Sequence, residues 1–409
     1  MTTRSDLIDN LSFRDNKKEY FLTYLSVALL NPTFGYYDIF HILFTTIIIY
    51  LFINSRLKFD NLFFWIITLL NFVAIAQFFA FGAFTTSSYI GVFLTFLMPY
   101  FIIRIIGYEY WRYYINIVYF FSIISLILWS LQNISDSFTA LLINISSSLH
   151  LDPENNESLI IYNLEHKRPT DILGLMKNAG FTAEGGVFSC LLILALFFNT
   201  IYSKNIFNKK NIVFIISLLS TNSTAGYAAL GIYLTGTSFL FSQKRYKLIL
   251  FPITAVLFYL AIIQLPFMLE KVNKYYEDEL YVYEINPNPS RLGRFLSARI
   301  DLDIIKENPL WGRGIHKESR YLTPLEKEIG YSNSYLGIIG FASRYGIIIW
   351  SYFFYYLFVF VYKKSRINKI NKYYSIIFLL AILATAMGQN PFTNPPYLIL
   401  AYSGYYSSK

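Results

Sequence analysis

Three arginines, Arg291, Arg294 and Arg299, cluster in residues 267–333, the longest polar interval of an otherwise apolar chain. Phe295, Ala298, Leu302 and Ile305 recur there at helical spacing, which predicts a helix over 291–306. Pro309 and the Gly312/Gly314 pair end it. At about 100° per residue, Arg291 and Arg294 lie near one face and Arg299 about 140° round from Arg294. Guanidinium groups grip diphosphates through paired N–H donors and stay charged at any relevant pH. At a membrane surface, such a cluster suits the headgroup of a lipid diphosphate. The same spacing also fits a solvated helix face whose arginines pair with Asp301 and Asp303.

A second group precedes an apolar run. Lys177-Asn178-Ala179-Gly180-Phe181-Thr182-Ala183-Glu184 leads into Gly185-Gly186. A carboxylate at a membrane edge points to function, since ionisable groups are costly there. Two following glycines allow a close backbone approach. Glu184 equally suits a helix N-terminus, where the dipole favours negative charge. Thr221-Asn222-Ser223-Thr224-Ala225-Gly226 interrupts a hydrophobic hairpin, and its hydroxyls either line a cavity or cap the next helix. Arg168 and Lys177 could add charge to a phosphate site, though a solvated face suits Arg168 better. His316, just past Gly314, is a candidate base or an isolated surface histidine.

The elements that must position these groups are apolar helices. Of 409 residues, 55% are hydrophobic and only 14% charged, against about a quarter charged in soluble domains. Runs of about 20 apolar residues recur along the chain, too many and too spread for a signal peptide. The expected fold is all-α: one polytopic integral membrane domain over 1–409 with about 12 transmembrane helices. The expected spans are 21–34, 37–54, 61–83, 89–107, 110–131, 185–203, 212–221, 225–241, 248–267, 334–362, 373–387 and 395–406. With these, the basic loops at 56–58, 104–112, 204–210, 244–247 and 363–372 all fall on one side, together with both termini. The positive-inside rule makes that side cytoplasmic. The two long intervals, 132–183 and 267–333, then face the opposite side, each containing helix. The net charge of +9 is largely this loop bias, so it does not argue for nucleic acid. One cysteine and four scattered histidines give neither a disulfide framework nor a metal-site spacing. No internal repeat supports an inverted-repeat transporter.

Four of these pieces, taken in order, resemble the O-antigen polymerase and ligase superfamily of bacterial inner membranes. They are Lys177–Gly185; the Ser/Thr-Gly hairpin Ser220–Tyr227; Arg294 ahead of Pro309-Leu310-Trp311-Gly312-Arg313-Gly314; and Asn333-Ser334-Tyr335-Leu336 with Gly346 beyond. The resemblance covers roughly 175–350. Three positions depart from the family pattern: Lys177 replaces an arginine, Gly185 a proline, and Ser332 the histidine that ligases carry before the asparagine. The last favours a polymerase and leaves the acceptor-activating base unassigned. The resemblance implies transfer of a growing glycan from undecaprenyl diphosphate to a new lipid-linked repeat unit on the periplasmic face. The departing lipid diphosphate needs electrostatic stabilisation more than a proton. Arg294 and Arg299 are the expected catalytic cations, and Glu184 the group that orients or deprotonates the acceptor. Arg291, Lys177, Arg168, Asn178, Asn333 and His316 are expected to bind substrate. Partners would be the carrier-linked donor and acceptor, membrane lipids and a chain-length regulator protein. No cofactor is required. A ligase acting on lipid A core, or a flippase for the lipid-linked sugar, remain the competing readings. A flippase should carry charge deep within its spans, whereas these arginines collect in an outer loop.

Overall fold

A helix that is apolar on every side must be enclosed on every side or face lipid. Gly185–Ser203, with the sequence GGVFSCLLILALFFNTIYS, is enclosed: every side chain from Phe188 to Ile201 is buried. In the computed structural model, which describes residues 16–35, 37–82, 85–149, 158–165, 175–240, 294–315, 319 and 336–408, the other helices gather around it. In chain order they are α1 (Lys17–Ala28), α2 (Pro32–Gly35), α3 (Asp38–Asn54), α4 (Asn61–Phe81), α5 (Thr86–Ile106), α6 (Tyr110–Ile134) and α7 (Asp136–Leu149). The central helix Gly185–Ser203 is α8. It is followed by α9 (Lys209–Ser220), α10 (Thr224–Leu240), α11 (Arg294–Glu307), α12 (Gly337–Ile367), α13 (Tyr374–Ala386) and α14 (Pro395–Ser408).

Helices α6, α9, α10 and α13 pack directly on α8. Three tyrosine hydroxyls reach its backbone: Tyr114 donates to the Leu191 carbonyl at 3.0 Å, Tyr374 to Phe197 at 3.0 Å and Tyr397 to Cys190 at 3.2 Å. Trp111 stacks on Phe198 with centroids 3.9 Å apart. In lipid the hydrophobic effect does not drive helices together. Packing and interhelical hydrogen bonds do, the latter worth about 0.6 kcal/mol each. The abundant tyrosines supply both. A second layer forms where α14 packs between α12 and α5, with α4 against α5.

The basic residues of the short loops meet at one end. Arg104 donates to the Lys58 carbonyl at 2.7 Å and lies 3.6 Å from Asp60. Lys18 bonds Ser55 at 2.8 Å, Lys210 bonds Asn116 at 2.7 Å, and Lys364 lies over the rings of Tyr108 and Tyr202. The start of α1 and the end of α14 join this set, with Lys363 donating to the Ser407 carbonyl. The loop at 244–247 and the span at 248–267 lie outside the described residues.

Length separates the helices. Among the described residues, four stretches are long and apolar enough to cross a membrane: Asn61–Phe81, Thr86–Ile134 (which holds α5 and α6), Gly185–Ser203 and Gly337–Ile367. The 12 residues of α9 rise only about 18 Å and the 13 of α13 about 20 Å, against a hydrocarbon core of about 30 Å. The expected span 21–34 is two pieces. Its helix stops at Ala28, because Asn31 precedes Pro32 and is pushed out of helical geometry. Asn31 then caps α2, its Oδ1 accepting from the Thr33 amide at 2.9 Å. Within the first long interval, α7 packs on α6 and buries only Leu142 and Ser146.

Candidate functional site

At the end away from the lysines, the loop before α8 is tied down almost atom by atom. Asn178 has no exposed surface. Its Oδ1 accepts from the Gly180 amide at 2.9 Å, and its Nδ2 donates to Ser220 at 2.9 Å and Ser125 at 3.3 Å. That makes it the pin between this loop and the end of α9, with no face turned outward. Gly180 takes φ +60, with the Phe188 ring 2.8 Å from where a Cβ would stand. Asn31 holds the same loop from below, donating to the carbonyls of Leu159 at 3.0 Å and Phe181 at 2.7 Å. Gly185 and Gly186 let the entry of α8 come close to its neighbours. A Cβ on the first would stand 2.7 Å from the Thr221 carbonyl, and one on the second 2.2 Å from the Gln389 amide.

Glu184 occupies the N-cap position of α8 with extended backbone, yet its side chain makes no capping bond. Glu165 does that work instead: its Oε1 accepts from the Gly185 amide at 2.6 Å. The half-buried Glu184 carboxylate accepts no hydrogen bond among the described residues. Glu165 escaped the sequence reading because it lies 20 residues upstream in an unpatterned stretch. Its charge and burial together push the Tyr162 phenol up, burial being the larger cause. Tyr162 therefore stays a donor, to Gln132 at 2.6 Å. Lys177 is half-buried beside Asn178.

The interrupted hairpin is a capped turn. Ser223 Oγ accepts from the Gly226 amide at 3.2 Å and opens α10. Ser189 of α8 donates to Ser223 at 3.4 Å, so the turn is also stitched to the central helix.

The helix predicted over 291–306 appears as α11, starting at Arg294. Ser297, Ala298, Ile300, Asp301 and Ile304 are buried, and α11 packs on α12. Asp301 Oδ1 accepts from Ser343 Oγ at 2.6 Å, while Asp303 pairs with Lys306 at 2.9 Å. Arg299 lies exposed with no ion pair among the described residues. By register, position 294 shares a helix face with Ser297, Asp301 and Ile304, the face against α12. Position 299 lies on the other side. Arg168, Arg291, His316 and Asn333 lie outside the described residues.

Past α11, the Pro309–Gly314 turn enters a break in α12. Gly346 leaves helical geometry at φ +80, ψ 164. The Ile347 amide donates to the Pro309 carbonyl at 2.8 Å and the Arg313 amide to Ser343 at 2.6 Å. Any Cβ at Gly346 would stand 2.1 Å from the Leu310 carbonyl, and one at Gly312 (φ +64) 2.6 Å from the Gly346 nitrogen. The turn and the break fit only as paired glycines. From α4, the buried side chain of Gln77 closes the joint. Its Nε2 donates to the carbonyls of Trp311 at 2.8 Å and Arg344 at 3.0 Å. Its Oε1 accepts from the amides of Gly314 at 3.2 Å and Ile315 at 3.0 Å. Arg313 is committed to this turn: it lies 4.5 Å from the Phe81 ring centroid and 3.5 Å from Glu307, and donates to the Ser319 carbonyl. Gln77 was missed because one glutamine in a long apolar run carries no motif.

The structure thus brings the loop 175–184, the 221–226 turn and the start of α8 into one assembly. It brings α11, the Pro309–Gly314 turn and the upper part of α12 into another. The link between them is the Gly337 amide, which donates to the Gln389 carbonyl at 3.0 Å, with the Gln389 side chain against Gly186.

A protein-family profile described as O-antigen ligase aligns with residues 211–340. That range runs from α9 through α11 and the docked turn into the first residues of α12. Searches of the curated proteins and of the solved structures returned no match. The matched range contains three of the four motifs, in the order read from the sequence, and supports membership of the O-antigen polymerase and ligase superfamily.

Proposed function

We propose that this chain is a surface-polysaccharide polymerase of the bacterial inner membrane. It moves the growing glycan from undecaprenyl diphosphate to a sugar hydroxyl on a new lipid-linked repeat unit. The lysine-rich end faces the cytoplasm with both termini, the chain crosses the membrane about 12 times, and the assembly around Glu184 and α11 faces the periplasm. The observation that carries the reading is the docked arginine helix. Position 294 sits on the α12-facing side of α11, and the Pro309–Gly314 turn fixes that helix in the break at Gly346. Cations held on a fixed element stabilise a departing diphosphate without reorganising as charge develops. Arg294 has that role, with Arg299, Arg291, Lys177 and Arg168 supplying further positive charge and Asn333 and His316 contacting substrate. Glu184 orients or deprotonates the acceptor, since the capping duty it would otherwise serve belongs to Glu165. Asn178 acts on the site by holding the loop. A chain-length regulator is the expected protein partner.

Ser332, where ligases carry histidine, favours polymerase over ligase. Deleting the gene separates them: core-attached single repeats identify a polymerase, and carrier-linked polymer that never reaches lipid A core identifies a ligase. Purified protein that elongates a lipid-linked repeat in detergent establishes the enzyme. Protein that only moves the lipid-linked sugar across vesicles would make it a flippase and refute the reading.

A further inference from the structure

One cation at the docked joint has no place in the roles above. Arg344 is half-buried in α12, two residues before the break at Gly346. Its Nε is fully buried without a hydrogen-bond partner. Its guanidinium makes no ion pair or hydrogen bond among the described residues. A partly desolvated cation with no counter-charge is costly unless a ligand supplies the anion. Its backbone is not free to move away, because the Arg344 carbonyl accepts from Gln77 at 3.0 Å.

A crevice opens between α4, α5, α12 and α14, lined by Leu70, Phe96, Ile349, Phe353, Leu398 and Tyr402 among others, and its α12 wall begins five residues past Arg344. Gln77 stands two helical turns beyond Leu70 on the same face of α4, about 10 Å along the axis. The Tyr345 ring meets Phe96 edge-on at 5.3 Å, so the residue next to Arg344 packs on the crevice lining. An unpaired cation near an apolar slot between membrane helices matches one chemistry, an amphiphile with an anionic head and a hydrocarbon tail. We infer that Arg344 and this crevice form a binding site for the carrier lipid: the diphosphate meets Arg344 and the first isoprene units enter between α4, α5, α12 and α14. The inference rests on the polymerase reading and adds the place where the carrier sits.

The test measures binding to the purified full chain in detergent, using geranylgeranyl diphosphate, geranylgeraniol and inorganic pyrophosphate. Wild type should bind geranylgeranyl diphosphate well above the other two. Arg344→Ala should weaken the diphosphates by at least about tenfold, the scale of lost charge-assisted hydrogen bonds, with Arg344→Lys between the two. The alcohol should be unaffected, and the melting temperature should stay near wild type. Ala401→Phe fills the crevice, as does Leu70→Phe if the first does not purify. Either should remove the advantage of the isoprenoid chain while pyrophosphate binding stays. If Arg344→Ala binds like wild type, or the filled crevice keeps the chain-length advantage, this inference fails alone. A wild type that binds no isoprenoid diphosphate overturns it together with the polymerase reading.

Discussion

Replacing Gln77 with leucine tests whether the Pro309–Gly314 turn is held by the membrane bundle or merely rests on it. Leucine has nearly the same volume, so packing around position 77 changes little. What disappears is the bracket: two donations, to Trp311 and Arg344, and two acceptances, from Gly314 and Ile315. At about 0.6 kcal/mol per interhelical hydrogen bond in a membrane protein, four sum to about 2.4 kcal/mol. At 1.4 kcal/mol per tenfold, that shifts the docked-to-undocked ratio of the turn about 50-fold. The bonds left at the joint, Ile347 to Pro309 and Arg313 to Ser343, keep the bundle intact, so the helices should still insert. Limited proteolysis in detergent should then cut near residues 308–320 much faster than in wild type, and long polysaccharide should fall in parallel. Gln77→Glu keeps the acceptor and loses the donors, so it should fall between. If Gln77→Leu leaves both protease sensitivity and chain length at wild-type levels, the turn does not depend on this bracket and the argument is wrong.

Other outcomes follow from the same geometry. Gly346→Ala puts a methyl group 2.1 Å from the Leu310 carbonyl at a positive φ, so the turn cannot dock and polymer should be lost, read as banding on a polysaccharide gel. Arg294→Ala should abolish long chains while the protein inserts and repeat units still reach the outer face; normal chains would remove Arg294 from the reaction. Glu184→Gln should sharply slow chain extension and leave the melting temperature unchanged, and an unaltered rate would rule out a base there. Glu165→Gln acts on stability instead: loss of the charge capping Gly185 should cost about 1 kcal/mol, read as a lowered melting temperature.

Most helices were legible because an apolar run between polar breaks reads the same in sequence and structure. Gly185–Ser203 appears with the expected bounds, and Asp38–Asn54 and Asn61–Phe81 fall within two residues of theirs. The failures came where a side chain acts across the fold. Asn31 holds the loop before α8 through bonds to Leu159 and Phe181, which no local pattern shows. Asn178 read as a substrate ligand because it lies in a motif, but burial and three side-chain hydrogen bonds give it a holding role. Gln77 and Glu165 went unread for the opposite reason, as single polar residues in unmarked surroundings whose partners are far away in the chain.

The same distinction sharpens the question of which arginine matters. Spacing alone could not separate Arg294 from Arg299, since either could face outward. The buried set Ser297, Asp301 and Ile304 fixes the rotation of α11 and turns position 294 toward α12, leaving Arg299 exposed. On the same helix, Asp301 is buried and accepts from Ser343, and Asp303 pairs with Lys306. A charge reversal separates the role of register from general electrostatics. Arg294→Glu should eliminate chain extension, while Arg299→Glu, on the far face, should only weaken it in a salt-dependent way. Equal loss from both would mean that the register of α11 does not select the catalytic cation.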